Sequence, residues 1–199
     1  MLPFLASSAP IKLLAVGWTA IRALNTCRTF PAEQCYIALS NDAVVLRASS
    51  ADHKLFLWQN PATGEYRNTI VEKQPATPHQ SDGLAQLVQP GDQVFLITGF
   101  GQDAEAAQMA ELAAQAELAC GLVYVIGTAP RGPGYTKKQQ IAQSQIKQLK
   151  LHPFPLHLIY FEQKLLFKQS SPDTEIMALH TIVDRMLIQA VQQITGSRI

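Results

Sequence analysis

The chain has 199 residues, 47% of them hydrophobic and 16% charged, with a formal net charge of +1 and no run of like charges. That length fits a single domain, 1–199, with a sizeable core, and the near-neutral balance argues against a charged surface for nucleic acid or membrane. Cys27, Cys35 and Cys120 lack C-x-x-C spacing, and the apolar N-terminus has no basic leader and is interrupted by Lys12; reduced thiols, a cytoplasmic location and no membrane span are expected.

Taken in chain order, Ile11 to Val16 (IKLLAV) predicts a buried strand closed by Gly17, followed by a helix from about Trp18 to Arg28. Gln34 to Leu39 (QCYIAL) predicts a second strand. Between Asn41 and Pro78, VVLRA and KLFLW predict strands and NPATGEY a turn, in a Pro-, Thr- and Gln-containing stretch read as an exposed excursion. Beyond it, Asp82 to Val88 predicts a short helix, Val94 to Thr98 a strand, and Asp103 to Ala119 a long helix rich in Ala, Glu, Gln, Leu and Met. Leu122 to Ile126 and Leu156 to Phe161 read as strands, Lys137 to Leu149 and Glu175 to Ile194 as helices.

This alternation predicts an α/β fold, a mainly parallel sheet with helices on both faces. Ligands of such sheets bind at the carboxyl ends of the strands, so the loops after Val16, Leu39, Thr98 and Ile126 share one candidate rim. Bland readings cover the other conspicuous residues. The five histidines share no ligand spacing, so no metal site is expected, no nucleophile motif stands out, Trp18 and Trp58 read as packing residues, and Lys137 and Lys138 as a solvated helix start.

The rim loops also carry a family pattern. VFLITGFGQDAEAAQMA (Val94 to Ala110), then a helix and a strand ending in Thr128-Ala129-Pro130, resembles the signature VFIAAGMGGGTGTGAAP, helix and T-K-P of the tubulin/FtsZ family of GTPases. IKLLAVG, ALSNDAVVL, QKLL (Gln163 to Leu166) and MLIQAVQQI are similar, in the same order, to that family's IKVIGVG, AVNTDAQAL, NDKLL and VLKGAVQGI. The resemblance covers about Ile11 to Ile194. It implies a three-layer Rossmann-like domain with a nucleotide rim at Gly17, Asp42, Gly99, Gly101, Thr128 and His180, the last at the position of the family's guanine-stacking Phe. The family's neighbouring Asn-Asp pair falls at Asp184 and Arg185, and Arg185 cannot accept guanine N–H bonds.

The departures cluster on that rim. A phosphate loop needs bare backbone N–H groups, whereas Gln102, Asp103, Glu105 and Ala107 stand at the later glycine positions and Trp18 to Ile21 replace a glycine run. Asp103 and Glu105 would repel phosphate; as N-cap and first-turn acid they would instead suit the dipole of their own helix. The expectation is therefore an FtsZ-like pseudo-GTPase with no catalytic residues and no cofactor, acting as a binding or regulatory protein in cell division or cytoskeletal assembly. The alternative is a GTP-binding switch or GTPase that holds GTP or GDP in an altered site.

In the family the central helix leads to an acidic loop that completes the neighbouring subunit's site, and the chain ends at Ile199 before its counterpart. On the final helix, Ile176, Leu179, Val183, Leu187, Ala190 and Ile194 form an apolar stripe widened by Ile182 and Met186, with Thr181, Arg185, Gln189 and Gln192 as the polar strip. Such a helix is buried on more than one side. Its cover is expected to be a second copy of the chain, giving a homodimer, or an FtsZ-family protein; the other possibility is the Asn41 to Pro78 excursion folding over it.

Overall fold

The computed structural model describes residues 9–26, 34–71, 83–130, 135–151, 153, 156–162 and 176–195. In chain order they form β1 (Ile11–Val16), α1 (Trp18–Thr26), β2 (Gln34–Ser40), α2 (Ala43–Ala48), β3 (His53–Gln59) and β4 (Tyr66–Ile70). Then follow α3 (Gly83–Leu87), β5 (Gln93–Gly99), a 3₁₀ helix (Ala104–Gln108) running into α4 (Met109–Cys120), β6 (Val123–Ala129), α5 (Thr136–Lys150), β7 (His157–Glu162) and α6 (Ile176–Thr195).

The seven strands lie in the order β4-β3-β2-β1-β5-β6-β7, and every pairing is parallel except β3 with β4. The expected α/β layers are therefore present. From β1 the chain steps outward through β2 and β3, then returns to the other side of β1 as β5, which makes the β1/β5 boundary the switch point where such sheets open a crevice. Register places Val16 beside Thr98, so Gly17 and Gly99 leave the sheet side by side.

The two faces of the central strands are both covered, and their sequences read as continuous apolar runs for that reason. Leu13 to Val16 and Val94 to Ile97 have no solvent exposure. Leu14, Val16, Leu96 and Phe100 pack under α4 and α5 with Met109, Leu112, Ala142 and Ile146. On the opposite face, Leu13, Ala15, Phe95 and Ile126 pack under α1 and α6 with Ile21, Leu24, Leu187 and Val191.

Three expectations need correction. VVLRA is the helix α2, because the Asp42 carboxylate accepts from Val44 N (2.7 Å) and Val45 N (3.5 Å) and caps a turn that β-branched residues alone would disfavour. The stretch from Asn41 is no mere excursion: KLFLW is β3, which with β4 extends the sheet through a hairpin and buries Leu55 and Leu57 completely. Trp18 is 47% exposed at the start of α1 instead of packed, while Trp58 is half-buried and donates to Thr69 Oγ1 at 3.3 Å.

The final helix lies where expected, with a different outcome for its stripe. Val183, Leu187, Ile188, Ala190 and Val191 are buried in the cluster beneath α1 and α6, with Met186 and Ile194 packed against it. Thr181, Arg185 and Gln189 face solvent. Much of the apolar stripe thus finds its cover in α1 and the sheet of the same chain, sources the sequence pattern could not identify. No helix among the described residues is long and apolar enough to cross a membrane.

Candidate functional site

The carboxyl ends of β1, β2 and β5 are closed by two carboxylates. After β5 the chain turns back on itself, with Gln102 N and Asp103 N donating to the Gly99 carbonyl at 3.1 and 3.0 Å. That turn drives the Asp103 side chain into the switch-point crevice. Its Oδ2 accepts from Gly99 N at 3.1 Å, both oxygens lie 3.3 Å from Thr19 N, and Oδ1 accepts from Thr19 Oγ1 at 3.1 Å. The carboxylate thus sits on the first turn of α1, the unsatisfied N–H end of that helix where an anion is stabilised.

The sequence pattern makes Asp103 the cap of its own helix. Its backbone does stand at the N-cap of the 3₁₀ helix, φ −90° and ψ 131°, yet its side chain makes no capping bond there. It caps α1 instead. The Thr19 N–H in the first turn of α1 and the N–H of Gly99 both face the crevice, and one carboxylate satisfies them together.

Glu105 performs the equivalent task one loop away. It is 6% exposed, and its Oε1 accepts from Ser40 Oγ at 2.6 Å and Asn41 N at 3.1 Å, at the end of β2. Ser40 Oγ in turn accepts from Asp42 N at 3.1 Å. Three strand-end loops are thereby tied together by two acidic side chains from one short helix.

Burial pushes the Asp103 carboxyl up from 3.8 to about 6; the Thr19 and Gly99 hydrogen bonds oppose that rise, and the charge of Glu105 adds to it. Desolvation winning over several donors is the mark of a carboxylate held in a closed, poorly solvated place.

The glycines fit this occupant. Gly17 has φ +84°, in the left-handed region, and a Cβ there would lie 2.5 Å from Asp103 Cβ. A Cβ on Gly99 would lie 2.8 Å from Thr19 Oγ1 and 2.9 Å from Asp103 Oδ2. Bare backbone at both positions is needed to admit the Asp103 side chain.

The other rim residues separate. Thr128 stands beside Gly99 in register on β6, fully buried, and its Oγ1 has no hydrogen-bond partner among the described residues. Asp42 is exposed and occupied with capping α2. Gly101, φ +69°, turns to the opposite face: its N–H donates to Gln145 Oε1 at 2.8 Å, and a Cβ would collide with the Lys138 carbonyl of α5. His180 lies on α6, and its side chain is outside the described residues. Lys137 and Lys138 are solvated at the start of α5, as expected.

Further along the same face, Arg22 of α1 forks onto Asp184 of α6, with Nε to Oδ2 at 3.1 Å and Nη2 to Oδ1 at 2.9 Å. Asp184 is 3% exposed and Arg185 is at the surface. Thr19, Ser40 and Arg22 are the site residues that sequence reasoning missed. Their partners lie 84, 65 and 162 positions away, and a Thr in the first turn of a helix or a Ser at the end of an apolar strand carries no marker of such a partner. Among the described residues no group of acidic, His and Cys side chains is placed to hold a metal ion.

A mainly parallel, helix-covered sheet whose switch-point crevice is filled by the chain's own carboxylates defines the class: a three-layer α/β fold. More particularly, the chain has the fold of the tubulin/FtsZ N-terminal domain. An FtsZ dimer from M. jannaschii, described as empty, superposes with a TM-score of 0.74 at 18% identity over 97% of this chain and 57% of that one. A point mutant of FtsZ from the same organism gives 0.68 at 20% over 95% and 58%. CetZ from Methanosaeta thermophila gives 0.64 at 12% over 94% and 54%. This chain therefore spans little more than half the length of these proteins. No family model matches it, and no curated protein matches it in sequence.

Proposed function

We propose that this protein is an FtsZ-like pseudo-GTPase: it keeps the tubulin/FtsZ fold, neither binds nor hydrolyses GTP, and acts by binding other subunits in cell division or cytoskeletal assembly. The observation that carries the reading is the Asp103 carboxylate on the first turn of α1, where its hydrogen bonds take the donors a phosphate would use. An incoming polyphosphate would have to displace a buried acid and then share the crevice with Glu105. Coulomb repulsion of about 4 kcal/mol per pair of unit charges at 4 Å, for an effective dielectric near 20, opposes this.

The partner in this proposal is a second copy of the chain or an FtsZ-family protein, in a cytoplasmic setting. One of the similar FtsZ structures from M. jannaschii is a dimer, which supports self-association here. Among the described residues of α6, the half-buried Ile182 offers apolar surface for such a contact, and Met186 and Ile194 pack only partly against the core.

One observation favours a nucleotide switch instead: the buried Thr128 hydroxyl beside Gly99 has no partner among the described residues, as a residue awaiting a ligand would. Thermal unfolding with and without GTP, GDP or ATP and magnesium separates the readings. The pseudo-GTPase reading expects no saturable rise in Tm and no guanine nucleotide released from freshly purified protein; stabilisation at micromolar GTP overturns it.

A further inference from the structure

We propose that the groove between α5 and β7 is a binding site for a small organic anion with an aromatic body, separate from the closed rim. It lies at the carboxyl ends of β6 and β7 and encloses about 310 Å³, within the range of small-molecule sites. Its position is on the α4/α5 face of the sheet, away from Asp103, which packs on the α1 face. The groove and the rim can therefore be occupied or blocked independently.

Two stripes build it. On α5, Gln143, Lys147 and Lys150 fall at near-helical spacing and bring one carboxamide and two ammonium groups along one wall, above the buried Ile146. On the edge strand β7, Tyr160 and Glu162 are two residues apart and so share the face opposite that wall. The result is an apolar floor with charges at its lip.

The charges select the ligand. Both lysines are exposed, and among the described residues neither is held in an ion pair; Lys150 Nζ lies 5.7 Å over the Tyr160 ring centroid. That cation–π contact holds one ammonium over the mouth. An anionic group would meet Lys147 and Lys150, two cations against the single Glu162 carboxylate of the opposite wall, while a flat body would lie on Ile146 and the Tyr160 ring. A lone inorganic ion would use only half of this.

Titrating the ¹⁵N-labelled full chain with phenyl phosphate, with inorganic phosphate and phenol as comparisons, tests the proposal. Saturable shifts confined to α5 and β7 are expected, with a Kd below about 1 mM. Lys147→Gln/Lys150→Gln should weaken phenyl phosphate at least about tenfold, since charge-assisted contacts are lost; both positions are exposed, and an otherwise unchanged spectrum confirms the fold. Tyr160→Ala should weaken phenyl phosphate by a larger factor than inorganic phosphate, since it removes the stacking surface as well as the ring that holds Lys150. The proposal is overturned if shifts do not saturate or fall elsewhere, if the double lysine variant binds equally well, or if inorganic phosphate binds as tightly as phenyl phosphate.

Discussion

Asp103 Oδ1 lies 3.1 Å from Thr19 Oγ1, an acid at the end of β5 capping the helix that follows β1 across 84 positions of sequence. The pairing exists because β1 and β5 are neighbours at the switch point, with Val16 beside Thr98. A helix N-terminus and a returning turn are thereby aimed at the same spot.

The pH dependence of stability follows from this carboxylate. Its folded pKa, about 6, is raised above the ordinary 3.8. The group therefore contributes stability that is complete below 3.8 and is lost as pH rises through 6. From pH 7.5 to 5 the protein should gain roughly 1 kcal/mol from Asp103 relative to Asp103→Asn, since each tenfold change in proton affinity on folding is worth about 1.4 kcal/mol. Urea unfolding of the two proteins at both pH values measures it, and parallel curves would show that Asp103 does not titrate in this window.

Gly17 and Asp103 should be energetically coupled. Gly17→Ala places a Cβ 2.5 Å from Asp103 Cβ at φ +84°, and a cost of about 2–4 kcal/mol is expected from strain plus displacement of the side chain. In Gly17→Ala/Asp103→Gly the collision is gone and only the backbone strain remains. A double-mutant cycle should return a coupling of at least about 1 kcal/mol.

How much of this could be read in the sequence depends on where each cause lies. Continuous apolar runs such as Leu13 to Val16 mark central strands directly, because burial on both faces is a local property of the strand. The strands that end near Val16, Leu39 and Thr98 are legible for that reason, and so is a common rim for their loops. VVLRA misleads because one carboxylate, Asp42, outweighs the β propensity of two valines. Asp103 is recognisable as an acid where phosphate binders carry glycine, but its target is not: local reasoning assigns an acid to the nearest helix start, whereas the topology offers a closer set of donors on α1.

The β3–β4 hairpin, which sequence patterning reads as an excursion, should be tied down by one amide. Asn68 is 2% exposed; its Oδ1 accepts from Leu84 N at 2.6 Å and its Nδ2 donates to Gln115 Oε1 at 3.1 Å, linking β4 to α3 and α4. Asn68→Ala removes the bonds to Leu84 N and Gln115 Oε1 together and should cost about 1–3 kcal/mol. Hydrogen exchange should show the loss in Leu84 and the β3–β4 strands before β1 or β5. A uniform loss would mean that the hairpin opens only with the whole sheet.

The ion pair between α1 and α6 is the contact most sensitive to which partner is removed. Arg22→Met leaves Asp184, 3% exposed, without its two guanidinium bonds, at a cost of about 3 kcal/mol; the pair's partial access to water on the Arg22 side keeps it at the low end for buried bridges. Asp184→Leu instead leaves Arg22, whose side chain is 22% exposed and can turn toward water, so a smaller loss is expected. The double variant Arg22→Met/Asp184→Leu replaces two desolvated charges with apolar groups beside Ile21 and Leu187 and should recover most of the stability of the parent. Chemical denaturation of all four proteins checks the order. A double variant as unstable as Arg22→Met would show that the bridge holds α6 in place by something beyond charge pairing and packing.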